Sequence, residues 1–266
     1  MNELMKLTLA VLLFFLGTAA FASQENPSGK LKELETDRPD KTESTVTVDK
    51  GHAQLEVEIA SFTHSKSRAD LVSIGSFEIK YGVSDHVDLQ ILFDPYVKEL
   101  NGGAVVPRSL GFRDTTIRLK WNLSGDKEMT TGLALLPFIK LPTAQQQLGN
   151  GKIEGGLLIP MKVILPHEIE LAFEAGVAGV RNDDNTDTNV QFISSYSLGH
   201  KIVTDDLHVY LEFYSESAPR TDWVATVDTG LTYQLSENTQ ADGGVNIGVS
   251  DAADPWNPFI GYSVRF

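Results

Sequence analysis

The stretch Leu207-His208-Val209-Tyr210-Leu211-Glu212-Phe213 decides the fold. Leu207, Val209, Leu211 and Phe213 point one way, and His208, Tyr210 and Glu212 point the other. A strict period of two is the mark of a half-buried β-strand; a helix needs apolar residues three and four apart, which the stretch does not supply. The same alternation recurs along the chain. Ile169, Leu171 and Phe173 oppose Glu170 and Glu174. Ile117, Leu119 and Trp121 oppose Arg118 and Lys120. Val87, Leu89, Ile91 and Phe93 oppose Asp88 and Gln90. Phe77, Ile79 and Tyr81 oppose Glu78 and Lys80, while Leu55, Val57 and Ile59 oppose Glu56 and Glu58. Twelve such segments lie near 52–63, 71–83, 86–98, 111–123, 130–141, 153–164, 168–180, 190–201, 206–216, 222–235, 239–250 and 258–266.

Composition narrows what these strands build. The 266 residues hold no cysteine, 22 Lys+Arg against 36 Asp+Glu, and a net charge of −14. No cysteine means no disulfide scaffold, no thiol chemistry and no cysteine zinc site. The acidic balance excludes the basic face that nucleic-acid binding requires. Residues 1–22 have the layout of a secretory signal: Lys6, an apolar core from Leu7 to Leu16, and Ala20-Phe21-Ala22 as an A-x-A-like cleavage site. That core is too short to span a membrane as a helix, which takes roughly 20 residues. The domain plan is therefore 1–22 signal peptide, 23–50 polar N-terminal segment and 51–266 strands.

An exported chain of alternating strands is either a soluble β-sandwich, apolar inside, or a closed transmembrane barrel, apolar outside. Alternation alone does not separate the two. The segments are long enough to cross a bilayer as tilted strands of about 9 to 11 residues, and their even number suits a bacterial barrel. Tight links at Ser84-Asp85, Pro166-His167, Thr204-Asp205 and Ser236-Glu237 alternate with longer ones at 64–70, 98–110, 142–152, 181–189, 217–221 and 251–257. Trp121, Tyr233 and Phe266 fall at the tight ends, and Tyr96, Trp223 and Trp256 at the long ends, as two interfacial girdles require. The expectation is an all-β, antiparallel up-and-down transmembrane barrel of about twelve strands with an N-terminal polar segment. Pro137 and Pro160, inside the fifth and sixth segments, should mark a bulge or a strand end.

If apolar residues face lipid, charged ones face the lumen. The candidates are Glu56, Glu58, Glu78, Lys80, Arg118, Lys120, Lys140, Lys162, Glu170, Glu174, His208 and Glu212. The segment 23–50 is then either a tether or a plug. As a plug, Asp37, Arg38, Asp40 and Glu43 enter the lumen, with the three acids docking on Arg118, Lys120, Lys140 and Lys162.

The last strand carries Ile260, Tyr262, Val264 and a terminal Phe266 in outward alternation. This resembles the C-terminal signal that the barrel assembly machinery reads in bacterial outer-membrane barrels. A narrower resemblance runs along the mature chain. Thr36-Asp37-Arg38-Pro39-Asp40-Lys41-Thr42-Glu43-Ser44 precedes the first strand. Gly111-Phe112-Arg113-Asp114-Thr115 leads into Leu119-Lys120-Trp121, and Leu136-Pro137-Phe138-Ile139-Lys140-Leu141-Pro142-Thr143 follows. Near the end stand Gly244-Val245-Asn246-Ile247-Gly248 and Asp251-Ala252-Ala253-Asp254. Together these are similar to the outer-membrane transporter family named for the meta-pathway of phenol degradation. The resemblance implies bacterial outer-membrane localisation and passage of small molecules, hydrophobic or aromatic ones included. It implies neither a substrate nor binding residues.

Chemical sites are few. Asp183, Asn185, Asp187 and Asn189 alternate like the start of a calcium loop, but Thr188 replaces the glycine and Ser194 the bidentate glutamate. Gly149-Asn150-Gly151 lacks the third glycine and the strand–turn–helix of a dinucleotide site. Of the histidines, His208 alone lies well inside a strand, beside Tyr210 and Glu212, where a lumen contact is the simpler reading than a general base. No cofactor, metal or catalytic residue is expected. The expected surroundings are outer-membrane lipid and lipopolysaccharide, the assembly machinery and a small-molecule solute, with no nucleic acid. Diffusive passage through the lumen is the first reading; a non-conducting structural or surface-interaction barrel and a lipid-modifying enzyme are the alternatives.

Overall fold

The computed structural model describes residues 31–66, 69–100, 110–125, 130–145, 148–182, 186–219 and 221–266. The expected signal peptide, and Asp183 and Asn185 of the 181–189 link, lie outside them.

The fold is built of antiparallel strands: β1 (Ala53–Thr63), β2 (Asp70–Ser84), β3 (Val87–Phe93), β4 (Tyr96–Leu100), β5 (Leu110–Gly111), β6 (Thr115–Ser124), β7 (Thr131–Leu141), β8 (Glu154–Leu165), β9 (Ile169–Arg181), β10 (Thr188–Lys201), β11 (Leu207–Ser217), β12 (Val224–Ser236), β13 (Thr239–Gly248) and β14 (Trp256–Arg265). Two pairs are halves of single staves. β3 and β4 both pair with β2, on either side of Asp94-Pro95, where proline has no amide to give the ladder. β5 and β6 are separated at 112–114 and pair with β4 and β3 respectively. Twelve staves result, and β1 pairs with both β2 and β14. The sheet is closed, which leaves no edge strand to template aggregation.

The prolines behave differently from expectation. Pro137 pairs with Leu157 of β8, and Pro160 with Glu174 of β9. Neither ends a strand or makes a bulge: the β6–β7 and β7–β8 ladders lapse for two residues beside each proline and resume in the same register. The reason is that a strand residue directs its N–H to one neighbour only, so each proline removes bonding on one side and leaves the other intact. The bulge that matters lies in β1, between Glu58 and Ala60. Ile59 keeps the outward side of Leu55 and Val57, 47% exposed, and the parity changes after it. Beyond it, Ser61 and Thr63 point inward.

The two faces of the wall are chemically opposite. Leu211 is 54% exposed and Phe192 60%, with Leu89, Leu119, Leu231 and Ile260 similarly open on the outside. Lys120 and Asp228 are 0% exposed, and Gln54, Glu56 and Glu212 are almost as deeply buried on the inside. A soluble sandwich would bury the first set and expose the second. This distribution belongs to a membrane-spanning barrel, whose apolar band meets hydrocarbon. The rims carry exposed Trp121, Tyr233 and Phe266 at the tight-turn end and Trp223 and Trp256 at the long-loop end. Trp256 stacks at 5.2 Å on Phe62.

Candidate functional site

An unfilled twelve-stave lumen would leave the inward charges wet. Here they are dry because residues 31–50 fill the middle of it. The segment enters at the tight-turn end, where Lys32 Nζ donates to the Asp85 carbonyl at 3.1 Å. It rises to mid-barrel at Lys41–Glu43, opposite the centres of β9 and β11. It then returns to the same end, where Thr47 Oγ1 donates to the same Asp85 carbonyl at 3.1 Å and Gly51 bonds Gly82. The path is a U with both legs at one rim.

Sequence explains why a polar segment sits there. It has no regular secondary structure, so its backbone N–H groups need acceptors, and the strands supply carboxylates. Glu56 accepts from the Asp37 and Arg38 amides at 3.0 and 2.9 Å. Glu212 accepts from the Lys41 and Thr42 amides at 2.9 and 2.7 Å. Glu174 accepts from the Glu43 amide at 3.3 Å, and Asp88 from the Val48 amide at 3.0 Å. Charged acceptors make the stronger hydrogen bonds, and buried charges left alone cost several kcal/mol each.

The segment's side chains pair in turn. Asp37 sits between Lys80 and Lys120, with Lys120 Nζ at 2.6 Å, and Lys80 also pairs with Glu56. Arg38 forks onto Asp242 at 2.8 Å and lies 3.7 Å from Glu58. Glu43 pairs with Arg118. Lys41 reaches Asp228 at 3.0 Å and lies over the Tyr214 ring. Arg265 holds both legs, donating to the Lys32 carbonyl at 2.6 Å and to Asp49 at 3.2 Å.

Three expected pairings differ. Asp40 meets Ser197 and the neighbourhood of Glu212 rather than a lysine. Lys140 pairs with Glu154 and lies 3.4 Å from Asp114, both near the long-loop rim, which is above the segment's reach. Lys162 lies 3.7 Å from Glu35, a residue outside the expected set. Glu170 and His208 line a cavity of 310 Å³ beside the entry leg, with Tyr210 and Lys162. Glu78 faces a second cavity, of 350 Å³, on the long-loop side, which Asp94, Arg113 and Arg118 also line. Arg38 and Asp40 border both cavities, so the segment's tip is the partition between them.

Asp88, Asp228, Asp242 and Arg265 were missed as lumen residues. Asp88 stood in the alternation already, Asp228 follows the apolar Val227 in the same period of two, and Arg265 lies between outward Val264 and Phe266; parity carried to every strand finds all three. Among the described residues no group of three His, Asp or Glu side chains is placed to hold a metal ion.

The model of the family described as "Putative MetA-pathway of phenol degradation" matches residues 36–266. The chain belongs to that family. The match begins at Thr36, so the tip of the U lies within the family's own extent. The fold is similar to that of an outer membrane channel from Pseudomonas putida F1, with 13% identity, a TM-score of 0.61, and coverage of 87% of this chain and 100% of that one. The beta domain of the Bordetella autotransporter BrkA also aligns, with 12% identity over 80% of this chain and 98% of that one, at a TM-score of 0.47. A search of curated protein sequences finds no match. The likeness to the channel from Pseudomonas is one of fold, a closed barrel.

Proposed function

We propose that this protein is a bacterial outer-membrane channel that passes small molecules by diffusion, and that residues 31–50 set its closed state. The observation that carries the reading is the partitioned lumen: a polar segment held by ion pairs separates a cavity of 310 Å³ from one of 350 Å³. A wall-filling core would have no need of paired ions. Charges in a lumen pair or are solvated, and a segment tied by them is released when the pairs are exchanged for water. Selection rests on lumen width and lining charge, with no chemical step and no energy source. Family membership and the likeness to a channel support passage of small molecules, and the family's description favours aromatic ones. Lipid, lipopolysaccharide and the assembly machinery are the proposed neighbours, with Ile260, Tyr262, Val264 and Phe266 as the assembly signal.

The test is single-channel conductance in a planar bilayer, comparing residues 23–266 with a chain lacking 23–45. The deletion should raise the open level severalfold. Equal conductance in the two proteins would remove the segment from the gating role, and silence in both would favour a non-conducting barrel.

A further inference from the structure

Most carboxylates that border the long-loop-side cavity are already paired. Asp37 and Glu56 are held by Lys80 and Lys120, and Glu58 lies near Arg38. Glu78 feels the Lys80 and Arg118 charges but is held by neither through that oxygen: it is only 9% exposed, and its Oε1 is buried with no hydrogen-bond partner. Glu43 gives one oxygen to Arg118, and its Oε2 is likewise buried and partnerless. Both side chains line the same cavity. A carboxyl oxygen buried without a donor costs more than the bond it lacks, so a charged donor that can enter gains that difference.

We propose that this cavity is a binding site for a small organic ammonium ion, held by Glu78 Oε1 and Glu43 Oε2. Seven carboxylates and three arginines line the cavity, and with Lys80 and Lys120 counted behind Asp37 and Glu56 the acids still outnumber the bases by two, so the field favours a cation. The hydroxyls of Ser73 and Ser76 supply neutral acceptors for the remaining N–H groups, and Leu92 supplies an apolar wall for an alkyl tail. An ammonium suits the site better than a metal ion. Arg118 occupies Glu43 Oε1 and blocks bidentate coordination, and no third ligand joins the two glutamates. The inference does not require that the barrel conduct.

Calorimetric titration of the protein, purified in non-ionic detergent at low ionic strength, tests it with three ligands of one size: propylammonium, propanol and propionate. Propylammonium should bind saturably and the other two should not. Glu78→Gln, isosteric but neutral, should weaken propylammonium binding about tenfold or more, the worth of a charged hydrogen bond. Retention of the heat-modifiable mobility of a folded barrel on gels checks that variant. Should it not fold, the three-ligand comparison on the unaltered protein decides alone. Equal heats for propanol and propylammonium, or an unchanged isotherm in Glu78→Gln, would overturn the site. Displacement of propylammonium by an equal concentration of K⁺ would overturn the organic assignment. Because binding is read without a bilayer, a silent barrel in the conductance experiment leaves this result intact.

Discussion

At the residue scale the molecule is held by ions placed where water is scarce. Asp37 is the hub, since one carboxylate answers two buried ammonium groups, Lys80 and Lys120. Neutralising it leaves Lys120 without its ion-pair partner. Breaking a buried pair from one side costs about 3 kcal/mol or more, which is roughly two decades in an equilibrium. Asp37→Asn is therefore expected to shift the closed segment toward release, seen as longer open dwell times in a planar bilayer. The contrast between the variant and the unaltered protein should persist as salt is raised to physiological strength, because pairs this deeply buried are screened little. Asp37 and Glu43 were legible in sequence as acids in a segment ahead of a basic wall. Their partners were only half legible. Arg118 and Lys120 stood out by alternation, whereas Asp242 and Asp228, which answer Arg38 and Lys41, were not among the lumen candidates, because aspartate on a strand also reads as a solvated face.

At the element scale the strands were readable because lipid on one side and charge on the other force a clean period of two. The interruptions were not, since they depend on which neighbour a lost amide faces. Pro137 and Pro160 interrupt one ladder each and keep the register, while the β1 bulge at Glu58–Ala60 has no proline or glycine to announce it. Inside the wall, small residues make room for large ones. A Cβ placed on Gly244 would stand 2.6 Å from the Thr229 carbonyl oxygen, 2.8 Å from the Phe259 ring and 3.0 Å from the Tyr210 hydroxyl. The nearest of these is backbone, which cannot swing away. Gly244→Ala should destabilise the barrel by about 1–3 kcal/mol, an overpacking cost, read as a lower urea midpoint of the refolded protein.

At the scale of the whole molecule the question was which face of the strands is inside, and alternation alone was blind to it. Export, strand length, even count and loop alternation tipped the reading, and the exposures settle it: Leu211 is 54% exposed while Glu212 beside it is 1%. Leu211 lies at the middle of β11, opposite Leu198 and Thr229. Leu211→Arg should therefore cost about 2–4 kcal/mol in a lipid bilayer, as a cation at mid-depth does. The measurement is a urea unfolding curve in phospholipid vesicles, with the rim variant Val203→Arg as the comparison, expected to be nearly neutral. The route of the N-terminal segment has a mechanical consequence. Lys32 and Asp49 sit side by side at one rim, joined through Arg265, and the chain between them doubles back. A force drawing Lys32 away from that rim would meet the contacts in series, Glu35 before Asp37 and Asp37 before Glu43. They would peel like a zip instead of shearing together, so a modest pull from the tight-turn side would clear the lumen while the barrel wall stayed whole.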